Sequence, residues 1–128
     1  MREIKFDFVY ELIKEDKTKF YIHRKYTLDE IMSGLPQKIS MIMTDYPEYV
    51  SCSLKAKRQY IGLTDNKLKE VYEGDIISYF DGHRGFTCEV EYENGCFFIG
   101  SMFSHDVSNH NIEIIGNIYE NQELLKEI

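Results

Sequence analysis

The chain has 128 residues, the size of a single domain that can bury roughly two-thirds of its extended surface. A hydrophobic share of 43% and a charged share of 29% exclude a disordered chain, and ten Tyr and eight Phe, with no Trp and two Pro, favour strands. Against 15 basic residues stand 22 acidic ones, so the net charge of −7 excludes general wrapping of nucleic acid and confines any such binding to a local basic patch.

Ile4, Phe6, Phe8, Tyr10 and Leu12 alternate with Lys5, Asp7 and Glu11, which predicts a strand with one face buried. "KEDKT" is a polar turn. "KFYIHRKY" then resumes with Phe20, Ile22 and Tyr26 on one face, completing a hairpin. In "TLDEIMSGLP", Thr27 and Glu30 have capping-box spacing, Gly34 fits a left-handed helix end and Pro36 blocks continuation. A short helix over about Leu28 to Ser33 follows. From Gln37 to Ser53 the pattern is mixed: Ile39, Met41 and Met43 alternate, Tyr46-Pro47 breaks the run, and Val50, Cys52 and Leu54 alternate again.

Farther on, "DIISYF" is a strand and "DGHRG" a turn. "FTCEVEY-ENG-CFFIGSMF" is a hairpin around Asn94-Gly95, the strongest short-range hairpin signal. A two-residue turn there sets Glu93 opposite Cys96, Tyr92 opposite Phe97, Val90 opposite Ile99 and Cys88 opposite Ser101. Phe86, Cys88, Val90, Tyr92, Phe97, Ile99 and Phe103 then form the core face, and Glu89, Glu91, Glu93, Cys96, Phe98 and Met102 the other. "IEIIGNIY" is a last strand in which Gly116 marks a bulge or close approach, and Asn121 caps a short terminal helix, "QELLKEI". Short strands closed by tight turns predict a mainly β fold, a small, strongly bent sheet or barrel. No linker interrupts the chain, which is expected to be one domain with an N-terminal hairpin and helix portion over residues 1–57 and a strand-rich portion over 58–128.

"QYIGLTDNKLKEVYEGDII", "VEYENGCFFIG" and "IEIIGNIYENQELL" follow one another in an order that resembles the YopX family of bacteriophage and prophage proteins. That family's pattern reads "QYTGLKD…EIYEGDIV", a "DGxF"-like hairpin and "EVIGNIYENPELL". The resemblance covers residues 58–125. Gln122 departs from it, standing where the family has a proline that would pre-organise the terminal helix. The resemblance implies a β-barrel-like domain with an N-terminal α+β portion, in an oligomer, of phage or prophage origin. It carries no established activity or catalytic residues.

The candidate chemical sites reduce to structure. Asp75 after Gly74 organises a turn. Cys88, Cys96, His105 and His110 could be assembled into a zinc site on paper, but the hairpin register sends the two thiols to opposite faces, which also disfavours a disulfide. "DGHRG" lacks phosphate-loop spacing and precedes no helix. The sequence therefore predicts no catalytic residues, no metal and no cofactor, and a non-enzymatic protein. Three cysteines without CxxC spacing, no apolar run of about 20 residues and no signal-sequence core in "MREIKFDFVY" predict a cytoplasmic setting in the bacterial host, away from membranes.

What remains is binding. Phe98 and Met102 on an acidic face, with His83 and Arg84 at a turn tip, are candidate oligomer or partner contacts. The expected function is a homo-oligomeric protein-binding accessory module whose acidic surface suits a basic host or phage protein. The alternative is nucleic-acid binding by Lys19, Tyr21, His23, Arg24 and Lys25, a stacking-plus-charge surface on the first hairpin, with Lys17, Lys55, Lys57 and Arg58 nearby.

Overall fold

In the computed structural model, which describes residues 4–125, about half of the chain is strand and the helices are short. The chain divides into two compact units, Ile4–Gln59 and the part from Tyr60 onward.

In the first unit, β1 (Lys5–Ile13) and β2 (Lys19–Thr27) form the predicted hairpin, in register from Lys5 opposite Thr27 to Ile13 opposite Lys19. Thr27 caps α1 (Leu28–Met32) through a complete capping box: its hydroxyl accepts the Glu30 N–H, and Glu30 Oε1 accepts the Thr27 N–H at 2.9 Å. Gly34, at a φ of 84°, turns the chain out of the helix as expected. The alternation of Ile39, Met41 and Met43 is no strand. It belongs to α2 (Ile39–Thr44), because residues three apart let Ile39 and Ile42 reach one core with Phe8, Tyr10, Leu12, Ile22 and Tyr26 while Met41 stays exposed. From Ser51 the chain enters β3 (Ser51–Thr64), antiparallel to β1, with the register shifting between Val9 and Tyr10.

The single buried face expected for β1 is a further point of difference. Asp7, Val9 and Glu11 are buried as thoroughly as Phe8, Tyr10 and Leu12, because the flanking strands supply ionic partners to the two carboxylates.

In the second unit, the end of β3 pairs with β4 (Glu70–Tyr72). Five further strands follow: β5 (Asp75–Phe80), β6 (Gly85–Glu93), β7 (Cys96–Ile99), β8 (Met102–Phe103) and β9 (Ile112–Asn117). Their antiparallel order is β8-β7-β6-β5-β9. The ladder is open, with β8 and β9 at its two ends, so strand pairing does not close this sheet into a barrel. Its core gathers Ile61, Val71, Ile77, Tyr79, Val90, Phe97, Ile99, Val107 and Ile112.

The register around Asn94-Gly95 is as predicted: Glu93 faces Cys96, Tyr92 faces Phe97 and Val90 faces Ile99. Past Ile99 the expectation fails. Gly100, at a φ of 64°, turns the chain at once into β8, so that Met102 returns opposite Ile99 and Phe103 opposite Phe98. Cys88 therefore does not meet Ser101 across the ladder. Met102 moves to the core face, where it packs against the cluster around Ile99, and Phe103 moves to the outer face.

The "IGNIYEN" segment folds on its own side chains. Asn117 Oδ1 accepts the N–H groups of Tyr119 and Glu120, both at 3.0 Å, and Asn121 Oδ1 accepts the Asn117 N–H at 3.2 Å. A Cβ on Gly116 would lie 2.5 Å from Asn121 Oδ1, so the close approach foreseen at this glycine is real. Gln122–Leu125 form one 3-10 turn; the rest of the foreseen terminal helix, residues 126–128, lies outside the described residues.

Candidate functional site

The basic hairpin of the first unit is largely neutralised. Lys19, Tyr21, His23 and Lys25 alternate along one face of β2, whereas Arg24 projects from the other. On the first face, His23 Nδ1 lies 2.7 Å from Asp7 Oδ2, the Tyr21 hydroxyl donates to Glu11 at 3.0 Å, and Glu11 also meets Lys19 at 3.8 Å and Lys55 at 3.6 Å. Arg58 reaches the same Asp7 oxygen through Nε at 3.0 Å and Nη2 at 2.6 Å. Burial by itself pushes the Asp7 carboxyl up. The His23 hydrogen bond, followed by the Arg58 charge, more than reverses this and holds it below 3.8. Arg24, on the opposite face, pairs with Asp45 at 3.3 Å. The five residues thus do not form one cationic face. Arg24, Lys25, Tyr26, Leu35, Lys38 and Asp45 help to line a cleft of about 270 Å³.

In the second unit, the candidate contacts separate. His83 and Arg84 sit at the tip between β5 and β6, where Asp81 Oδ1 accepts both of their backbone N–H groups at 2.8 Å. Phe98 pairs with the far part of β6, roughly 20 Å away along the strand at about 3.3 Å per residue. Phe98 and Met102 occupy opposite faces. The ring that Phe98 meets is Phe103, at 5.0 Å between centroids, and His105 stacks on Phe103 at 5.4 Å. Reading Gly100-Ser101 as a second two-residue turn would have exposed this pairing.

Around this ladder stand Glu89, Glu91 and Glu93, alternate residues of β6 projecting from the Phe98 side. The Glu89 carboxyl is pushed up by partial burial and then by the charge of Glu91. A neighbouring cleft of about 330 Å³, lined by Ile61, Gly62, Gly95, Cys96, Phe97, Ser104 and His105, brings a thiol and an imidazole to one opening, a proximity with no counterpart in the sequence pattern. His105 Nε2 lies 3.5 Å from Asp106.

The other candidates have structural roles. Asp75 Oδ2 accepts the Tyr72 N–H at 2.8 Å, closing the acidic turn. Asp65, which the sequence did not single out, is fully buried: Oδ1 accepts the N–H groups of Lys67 and Lys69, both at 2.9 Å, and Oδ2 accepts that of Ile114 at 3.0 Å. Cys52, Cys88 and Cys96 are free thiols. Among the described residues no three His, Cys, Asp or Glu side chains converge as metal ligands, and no helix is long and apolar enough to cross a membrane.

Two antiparallel β units with short helices, carrying charged and aromatic outer faces, define the class of protein. The chain belongs to the YopX protein family, whose model matches residues 10–126. The match takes in most of the first unit as well as the blocks legible over 58–125. No curated protein matches the chain. Among solved structures it is similar to protein EF1440 from Enterococcus faecalis, at 20% identity and a TM-score of 0.49 over 98% of this chain and 99% of that one.

Proposed function

We propose that this protein is a non-catalytic, homo-oligomeric protein-binding module, encoded by a phage or prophage and acting in the host cytoplasm. The observation that carries the binding role is the pairing of a half-buried Phe98 with an exposed Phe103, bordered by Glu89, Glu91 and Glu93. Water-facing rings contribute little to folding, and they gain most when a partner covers them. The end of the ladder at β8 favours self-association, since unpaired strand edges are protected by a neighbouring subunit. The family resemblance supports the phage or prophage origin.

Affinity capture of tagged full-length protein from host lysate, with and without nuclease, tests the binding role. A specific protein retained after nuclease supports it, and loss of all captured material on nuclease treatment overturns it in favour of nucleic acid. Native mass measured across a concentration series tests self-association, and a mass of one chain throughout removes that part. Nucleic-acid binding by the first hairpin has less support, because Asp7, Glu11 and Asp45 already engage most of its charge.

A further inference from the structure

Glu91, Phe98 and Phe103 stand in one cross-strand row on the outer face of β6, β7 and β8, Glu91 registered with Phe98 and Phe98 with Phe103. Neighbours in such a row have Cβ atoms about 5 Å apart. Glu89 and Glu93 lie two residues to either side of Glu91 on the same face. Partial burial, and then the like charge of Glu91, pushes the Glu89 carboxyl up. Carboxylates facing water need no aromatic neighbours, and an apolar contact gains nothing from a border of three like charges. Both features suit a guanidinium, which lies flat on a ring while its N–H fork donates to a carboxylate.

We propose that this face binds an arginine-rich segment of a partner protein, one guanidinium lying on the Phe98–Phe103 pair and donating to Glu91. This rests on the binding-module reading and names its partner's chemistry. Charge complementarity selects the occupant: the chain's −7 draws a basic segment and repels phosphate backbones. A second copy is a poorer match, because the chain's four arginines, at positions 2, 24, 58 and 84, stand singly and form no arginine-rich segment.

The test uses the full chain and a fluorescein-labelled peptide of alternating Arg and Ser, with Lys and Glu versions as comparisons, read by fluorescence polarisation. The Arg peptide is expected to bind several-fold tighter than the Lys peptide, since only the guanidinium stacks, and the Glu peptide not at all. Glu91→Gln and Phe103→Ala should each weaken Arg-peptide binding about fivefold, while Glu48→Gln, which removes an exposed charge elsewhere, changes it by less than about twofold. Phe98→Ala serves as a second aromatic variant, with thermal melts confirming that each variant folds. Equal affinity for Arg and Lys peptides, or equal losses from Glu48→Gln and Glu91→Gln, would reduce the effect to bulk charge and overturn the proposal. So would a change of native mass on Phe103→Ala without a change in peptide affinity, which would make the face a self-contact. If the Arg peptide fails to bind while lysate capture still yields a nuclease-resistant protein, this inference falls and the binding-module reading stands.

Discussion

Arg58 and Asp7, 51 positions apart in sequence, meet through two hydrogen bonds to a single oxygen: Nε and Nη2 both donate to Asp7 Oδ2, while Oδ1, also buried, has no hydrogen-bond partner. His23 joins the same oxygen from the other flank of β1. An ionic cluster therefore crosses all three strands of the first unit on the face where alternation had predicted solvent.

Removing the cation should be costly. Arg58→Met leaves a buried carboxylate short of its strongest partner, and a loss of about 3–5 kcal/mol is expected, read from the midpoint of urea unfolding. Arg58→Lys should recover little, because one ammonium on a flexible stem cannot reproduce two planar donors on one oxygen. Wild-type stability in either variant would contradict this account of the cluster.

Acid should unfold the protein through Asp7 and Asp65. Burial pushes both carboxyls up. His23 and Arg58 at Asp7, and the N–H groups of Ile114, Lys69 and Lys67 at Asp65, outweigh it and set both below 3.8. The folded state then binds fewer protons than the unfolded chain at acid pH. The stability these groups contribute is complete above the unfolded value and is lost as pH falls through the lower folded values. Melting temperature should be flat in these groups from pH 7 to about pH 5 and fall steeply below about pH 4. Asp65→Asn should flatten that fall, and Asp65→Ala, which strands three N–H groups, should cost about 3 kcal/mol at neutral pH.

The elements fixed by local rules were legible in the sequence. Asn94-Gly95 allows one two-residue turn, and the register on either side followed from it; Thr27, Glu30 and Gly34 likewise marked both ends of α1. Legibility ended where a second signal of the same kind lay close by. Gly100-Ser101 is another tight turn, and continuing β7 straight through it misplaced Met102 and Phe103. The short apolar run at Ile39 to Met43 suits either period, and only the position of the Phe8–Tyr26 core decides for a helix. The partners of the basic hairpin were beyond local rules, because Asp7 and Glu11 neutralise it from the neighbouring strand and Asp45 from just past the end of α2.

Gly116 is expected to resist even alanine. Its added Cβ would lie 2.5 Å from Asn121 Oδ1 and 2.8 Å from Asn121 Cβ, and a short side chain held by the Asn117 N–H has little room to withdraw. Gly116→Ala should cost about 2 kcal/mol. In an Asn121→Gly background the added penalty should shrink, a non-additivity that a double-mutant cycle measures. Full additivity would place the cost elsewhere.

The thiols should separate by exposure. Cys96 is exposed, whereas burial pushes Cys88 up to about 11 and raises Cys52 as well. Maleimide labelling at pH 7.5 of the native protein should modify Cys96 first, with Cys88 and Cys52 following at least tenfold more slowly, since the thiolate is the reacting form. Peptide mapping reads the order, and rapid labelling of Cys88 would contradict the packing of β6.

The central claim, a protein-binding face built on Glu91, Phe98 and Phe103, is tested most directly by nuclease-treated capture from host lysate, comparing the wild-type chain with Phe103→Ala and Glu91→Gln. A specific protein should be retained by the wild type and depleted several-fold with either variant, though both remain folded. Equal retention by all three, or retention of nothing, would contradict it.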